Sequence, residues 1–153
     1  MTRRFLPHVT VACVIHYQSQ FLLVEERIDG QRVFNQPAGH LEPNETLLSA
    51  CQREIQEETG LDLTPDGFVN VYQFIAADQT PFIRFTFACQ TTGIHPTQPQ
   101  DPQIDACHWL SLAQIQTRQL PLRGPLVLQS IHDVIRGQIS PIEQALHNRL
   151  IRA

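Results

Sequence analysis

An α/β layered domain is the fold class that the sequence predicts, and three observations support it. Stretches rich in β-branched and aromatic residues lie on both sides of an amphipathic helical segment at residues 46–59. A second helical pattern follows at residues 125–136. The length of 153 residues is enough for one core without disulfides, so we expect residues 1–153 to form a single domain.

The predicted strands are short and are separated by turn residues. A turn at residues 18–20 joins the first two, which we expect to pair, and a turn at residues 78–81 joins two later strands into a hairpin. The Pro-rich stretch at residues 91–102 predicts a loop. The predicted strands occupy residues 9–15, 21–24, 33–34, 68–76, 82–89 and 107–110.

The helix ends are indicated by capping residues. Asn44 is the expected N-cap of the first long helix, and Gly60 supplies its stop. A brief helix is expected at residues 112–116. Ser140 followed by Pro141 is typical of a helix start, so residues 140–153 are expected to include a C-terminal helix over residues 142–151.

Composition excludes several classes of partner. The net charge of −4 and the lack of a Lys/Arg run argue against a strongly basic nucleic-acid footprint, so no nucleic-acid partner is expected. Residues 5–24 carry no charge but are interrupted by polar side chains, so we expect no membrane span. The four cysteines are widely spaced and are expected to be buried thiols. A cytoplasmic location is the default expectation. We expect the protein to be a monomer or a homodimer.

Three carboxylates stand out on the first long helix. Glu54, Glu57 and Glu58 have i, i+3, i+4 spacing, which gathers them on one patch beside the apolar stripe. Like charges at this spacing repel, and they lie near the negative end of the helix dipole. A divalent cation would offset both effects, and Mg²⁺ or Mn²⁺ prefers such oxygen ligands. The alternative is a solvated acidic face.

A longer pattern contains these carboxylates. The stretch GHLEPNETLLSACQREIQEETGL fits G-x5-E-x7-R-E-U-x-E-E-x-G-U at every defined place, namely Gly39, Glu45, Arg53, Glu54, Ile55, Glu57, Glu58, Gly60 and Leu61. This stretch resembles the Nudix box. The resemblance implies a Nudix hydrolase with an α/β/α sandwich and a mixed sheet. It implies an enzyme that cleaves phosphoanhydrides of nucleoside diphosphate derivatives and related compounds with Mg²⁺, or alternatively Mn²⁺.

Roles for the box residues follow from the same resemblance. It implies that the Gly39 carbonyl, Glu54, Glu57 and Glu58 bind the metal, and that Glu54 orients or deprotonates the attacking water. Arg53 is expected to be a catalytic-site residue that orients a glutamate or closes the loop. Glu45 lies opposite the carboxylates on the helical wheel and is expected to brace the loop.

Asp101 and Asp105 offer further acidic groups outside the box. They lie just before the predicted strand at residues 107–110, where either could supply a general base. Turn capping is the interpretation that we favour for both residues.

Substrate contacts are expected from the strands near the box loop. Phe34, Tyr72 and Phe74 are candidates for stacking against a base, and Arg84 for pairing with a phosphate. Gln36 could hydrogen-bond a base or a pyrimidine amine.

Segments outside the box resemble one phosphatase subgroup of the Nudix family. They are PHVTVACVIH, FNQPAGHLE, DQTPFIRF, HPTQP and RGPLVLQSI. This resemblance implies hydrolysis of nucleoside tri- and diphosphates, and of 4-amino-2-methyl-5-hydroxymethylpyrimidine diphosphate, to monophosphates. Two alternatives stay open: a nucleotide sensor without turnover, and removal of pyrophosphate from RNA 5′ ends.

Overall fold

The computed structural model describes residues 2–153, which form eight strands and four helices. In chain order these elements are β1 (His8–Tyr17), β2 (Gln20–Ile28), β3 (Gln31–Asn35), β4 (Ala38–His40), α1 (Leu47–Thr59), β5 (Gly67–Ile75), β6 (Pro81–Gln90), β7 (Ile104–Ser111), α2 (Leu112–Thr117), α3 (Leu126–Ile135), β8 (Ser140–Pro141) and α4 (Ile142–Ala145). The strands form one mixed sheet with helices on both faces, which confirms the predicted α/β class.

The sheet divides where β1 and β2 separate. Its main order is β3-β2-β1-β6-β5-β8, with β1 and β6 parallel. The expected pairing of β1 with β2 holds only at His16–Phe21 and Tyr17–Gln20. Beyond these two pairs β2 continues beside β3 and β7, while β4 pairs with β1. The divergence leaves room beside β1 for the short strand that opens the box loop.

Two hydrophobic cores lie on opposite faces of the sheet. Alternate residues of β1 point to opposite sides, so one strand contributes to both cores. The core on the α1 side includes Val11, Cys13, Ile15, Cys51 and Ile55. The core on the α3 side includes Val14, Phe34, Ala88, Val127 and Ile131.

The N-terminal end of α1 differs from the expectation. Thr46, not Asn44, is the N-cap, because its hydroxyl accepts from the Ser49 amide at 3.1 Å in a reciprocal capping box. Asn44 has a φ of 67° and lies in the loop before the helix. Asparagine is a common N-cap residue, but the side-chain hydrogen bonds assign the cap to Thr46.

The C-terminal end of α1 follows the expectation and is closed by the Pro-rich loop. Gly60 has a φ of 74°, and a Cβ there would lie 2.3 Å from the Gln98 carbonyl oxygen, so only glycine fits. The Gln98 amide donates to the Thr59 carbonyl, and the Gln100 and Asp101 amides donate to the Glu57 carbonyl, each at 2.8 Å. These bonds satisfy helix carbonyls that have no partner within α1.

Other expectations have mixed outcomes. The β5–β6 hairpin and α3 form as predicted. The predicted length of the C-terminal helix is wrong, because α4 ends at Ala145 and Leu146 adopts an extended backbone.

Cys13, Cys51 and Cys89 are buried, unpaired thiols, as expected, and Cys107 is half-buried. No helix within residues 2–153 has the length and apolarity needed to cross a membrane.

Candidate active site

Helix α1 presents its three glutamates at different depths. Glu54 and Glu58 are buried, at 9% and 7% exposure, whereas Glu57 is more open. Burial of a carboxylate is costly unless it is paired, protonated or bound to a cation. The buried pair at i, i+4 is therefore the feature of this helix that calls for a chemical explanation.

Glu54 lies directly against Gly39 of strand β4. A Cβ at Gly39 would be 2.0 Å from Glu54 Oε1 and 2.2 Å from its carboxyl carbon. Gly39 pairs with Val11, whose side chain faces the α1 core, so the missing side chain of Gly39 would point toward α1. The glycine lets the backbone of β4 approach the carboxylate.

Glu58 contacts Ala38, the residue before Gly39 on the same strand. Its carboxylate accepts from the Ala38 amide at 3.1 Å. Burial raises the pKa of Glu58 to about 9 even though the Ala38 hydrogen bond lowers it, and the charges of Glu54, Glu26 and Asp101 raise it further. With a pKa near 9 the Glu58 carboxyl keeps its proton at neutral pH, and a divalent cation bound there would displace that proton.

Arg53 ties the helix to the loop before it. Its Nε and Nη2 atoms donate to the Glu45 carboxylate at 2.6 and 3.0 Å, and Nη2 also donates to the His40 carbonyl at 3.0 Å. Its Nη1 donates to Glu54 at 2.7 Å and to Glu57 at 3.2 Å. Arg53 therefore both holds glutamates and closes the loop. Glu45 braces the loop start, and its hydrogen bond with Arg53 lowers the pKa of Glu45.

The expected metal ligands are adjacent but do not form a ready-made ligand cluster. Within residues 2–153, no three Asp, Glu, His or Cys side chains converge on one point. Arg53 donates hydrogen bonds to the carboxylates of Glu54 and Glu57, while the Glu58 carboxylate accepts from the backbone amide of Ala38. The donor type still fits a hard divalent cation, because all of the expected ligand atoms are oxygen atoms.

The two aspartates outside the box have structural contacts. Asp101 accepts from the Gln103 amide at 2.9 Å in a turn. Asp105 forms an exposed ion pair with Arg27 at 2.9 Å. Sequence reasoning missed Glu26, which lies near Glu58 and whose pKa is raised by burial. Glu26 follows the predicted strand at residues 21–24, but in the structure it lies within β2 and is half-buried, which the sequence pattern did not indicate.

Two of the candidate substrate contacts are enclosed by protein. Phe34 is 1% exposed in the α3-side core, so its expected role as a stacking surface is wrong for this structure. Gln36 is equally buried, and its Nε2 donates to the Val127 carbonyl at 2.8 Å. Period-two patterning could not tell which strand residues α3 would cover.

The other three candidates lie on neighbouring strands β5 and β6. Tyr72 donates to Asp133 on α3 at 2.5 Å, while the Phe74 ring stacks on Phe82 with centroids 4.9 Å apart. Arg84 is buried, and its Nη2 donates to Asn35 at 3.3 Å while its Nε has no partner within residues 2–153. Burial lowers the pKa of Arg84 to about 10, although the nearby charge of Glu58 raises it.

A mixed sheet between helices, with an arginine holding glutamates against a glycine strand, is an arrangement suited to metal-assisted phosphoryl chemistry. A profile of the NUDIX domain matches residues 6–129, and the chain belongs to the Nudix family. It is an enzyme that hydrolyses phosphoanhydrides. Members of this family generally use divalent metal ions and bind small-molecule nucleotide substrates.

Individual relatives agree with this membership. The chain is 51% identical over 139 residues to the phosphatase NudJ of Escherichia coli strain K12, covering 91% of this chain and 90% of the relative. A NUDIX hydrolase structure from Nitrosomonas europaea superposes with a TM-score of 0.84 at 39% identity, covering 93% of this chain and 97% of the other. The NUDIX domain of Shewanella oneidensis NrtR, solved with ADP ribose, shares the fold with a TM-score of 0.75 at 18% identity, over 88% and 90% of the two chains.

Proposed function

We propose that this protein uses Mg²⁺, or alternatively Mn²⁺, to hydrolyse nucleoside tri- and diphosphates and 4-amino-2-methyl-5-hydroxymethylpyrimidine diphosphate to monophosphates. The observation that carries the proposal is the pair of buried glutamates, Glu54 and Glu58, held against Gly39 and Ala38 of β4. The 51% identity to phosphatases named NudJ supports the substrate class.

The metal would be held by the Gly39 carbonyl, Glu54, Glu57 and Glu58. When bound, it would neutralise phosphate charge and polarise the phosphoanhydride. Arg53 keeps Glu54 and Glu57 within reach of the same region, because its Nη1 contacts both carboxylates. Its role is positioning, and its other bonds fix the loop that carries the Gly39 carbonyl.

Glu54 is our candidate for orienting or deprotonating the attacking water. Burial raises the pKa of its carboxyl, while the Arg53 hydrogen bond and charge lower it. A carboxylate with a raised pKa is a stronger base than a solvated one, and the arginine keeps it oriented.

Arg84 is the candidate for phosphate pairing. Its guanidinium is buried near Glu58, and its unpartnered Nε can donate one further hydrogen bond. Gln36, which is enclosed like Phe34, does not belong to the proposed substrate contacts. Tyr72 and Phe74, on the adjacent strand β5, are the proposed contacts for stacking against the base.

Cellular context is part of the same proposal. We place the protein in the cytoplasm because Cys13, Cys51 and Cys89 are buried thiols without disulfides, as is usual in a reducing compartment. We expect a small-molecule substrate, no nucleic-acid partner and no membrane association. The protein would act as a monomer or a homodimer, which sedimentation velocity would distinguish.

A substrate panel tests the proposal. Release of phosphate and of pyrophosphate would be measured with Mg²⁺ for nucleoside tri- and diphosphates, the pyrimidine diphosphate and triphosphorylated RNA. We expect monophosphate products from the small molecules and little from RNA. Preferential turnover of RNA would replace the proposal with RNA 5′ pyrophosphohydrolysis. Tight nucleotide binding without any turnover would instead favour a sensor.

A further inference from the structure

We propose that the rings of His8, His40, Phe74 and Phe82, here called the ring shelf, bind the heteroaromatic ring of the substrate by stacking. This inference rests on the proposed function and adds a specificity site to it. Of the four residues, Phe74 is the one that the sequence predicts as a stacking contact. The other three are assigned by strand register and by their contacts.

The strand register places the shelf and Arg84 on one face of the sheet. Directly paired residues share a face, and so do residues two positions apart along a strand. One row of directly paired residues across the strands consists of His40, Thr10, Arg84 and Tyr72. The neighbouring row on the same face consists of His8, Phe82 and Phe74. Tyr72 bonds to Asp133 of α3, so this is the α3 side of the sheet.

Each of the four rings lies beside at least one of the others. Phe74 and Phe82 stack with an interplanar angle of 6°. The His8 ring lies 5.2 Å from Phe82 and 5.4 Å from His40, centroid to centroid, and His8 Nδ1 is 3.1 Å from His40 Nε2. The His40 ring is 6.3 Å from Phe82. The cluster is therefore a continuous aromatic surface.

The shelf is open to a ligand. His8 and His40 are exposed, and Phe74 and Phe82 are half-buried. None of the four belongs to the core that α3 covers, whose sheet residues include Val14 and Ala88 further along the same face. The four rings lie beyond the part of the sheet face that α3 covers, so their free surfaces can stack against a further ring.

The ring shelf adjoins the proposed metal ligands. His40 follows Gly39 directly, and its carbonyl accepts from Arg53, which also holds Glu54 and Glu57. Arg84 lies in the row next to Phe82, with its guanidinium near Glu58. Cationic and acidic groups suited to a metal–pyrophosphate thus border an aromatic surface, which matches a molecule with a pyrophosphate at one end and a ring at the other.

Nuclear magnetic resonance tests the shelf independently of hydrolysis. The probes are cytidine 5′-monophosphate, which has a ring but no phosphoanhydride, and ribose 5-phosphate, which lacks the ring. The imidazole carbon-bound protons of His8 and His40 would be assigned with His8→Gln and His40→Gln. We expect both signals to move upfield, with saturation, on adding the nucleotide, and not on adding the sugar phosphate. Equal shifts with both probes, or no shift with either, would overturn the proposal.

A matched pair of variants measures the stacking contribution. Phe82→Leu keeps an apolar side chain but removes the ring, and should weaken nucleotide binding about tenfold. Ile83→Ala alters the neighbouring residue on the opposite face and should change binding less than about twofold. Equal losses in the two variants would show that the effect is structural and would contradict the shelf.

The outcomes also separate this inference from the proposed function. Ring-dependent shifts in a protein that hydrolyses no phosphoanhydride would retain the shelf and refute the activity. Efficient hydrolysis with no ring-dependent shift would retain the activity and refute the shelf. In an active protein, Phe82→Leu should raise KM for ring-bearing diphosphates, whereas Ile83→Ala should change that KM by less than about twofold.

Discussion

Glu54 occupies the space where a side chain at residue 39 would lie. A Cβ on Gly39 would be 2.0 Å from Glu54 Oε1, far inside contact distance. The helix and the strand are thus fitted to each other at the one point where a backbone carbonyl and a carboxylate are proposed to share a cation. This relationship explains the glycine by close approach, without any need for a left-handed backbone.

Gly39→Ala should therefore reduce activity more than stability. The added methyl displaces the end of the Glu54 side chain, and a misplacement of about 1 Å at a catalytic group can cost about 10²-fold in rate. We expect kcat to fall by about that factor with little change in Tm. Gly93→Ala is the control, since a Cβ there meets nothing within 4 Å. Similar kcat losses in the two variants would contradict the packing argument.

Arg53→Lys should lower activity although the charge is kept. Lysine has no planar fork, so it cannot reproduce the contacts to Glu45, Glu54 and the His40 carbonyl together. We expect kcat to drop by about 10–100-fold with a smaller effect on KM. Arg136→Lys, at an exposed arginine beyond α3, serves as the control. Wild-type kcat in Arg53→Lys would show that the fork is dispensable.

Much of this site could be predicted from sequence, because its spacing is local. The i, i+3, i+4 positions of Glu54, Glu57 and Glu58 and the stop at Gly60 follow from helix geometry alone. Phe34 could not be assigned correctly, because the face of β3 that is covered depends on α3, which lies far away in sequence. The ring shelf likewise depends on the parallel register of β1 with β6.

The metal-free protein should lose stability as the pH rises. The folded-state pKa of Glu58 is about 9, above its ordinary value of 4.5, so the folded state binds more protons between these values. The free energy of unfolding then decreases from about pH 4.5 to about pH 9, and Glu54, with its pKa also raised, adds in the same direction. Thermal unfolding with chelator present measures this, and Glu58→Gln should flatten the slope. A wild-type Tm that rises across this range would contradict the burial of the carboxylate.

Thr46→Ala should destabilise the protein by about 1 kcal/mol through loss of the α1 N-cap. Asn44→Gly should be neutral or slightly stabilising, because glycine tolerates the φ of 67° better than asparagine. Urea unfolding of both variants gives the comparison. The reverse ranking would return the N-cap to Asn44.

Divalent-cation dependence of turnover in carboxylate variants tests the central claim most directly. Hydrolysis of a nucleoside diphosphate would be followed while Mg²⁺ is titrated into native protein, Glu54→Gln, Glu57→Gln and the control Glu143→Gln, whose side chain is exposed on α4. We expect saturable activation of the native and control proteins, and kcat lower by about 10²-fold or more for Glu54→Gln and Glu57→Gln. Undiminished, Mg²⁺-independent turnover in the Glu54 and Glu57 variants would contradict the assignment of the site.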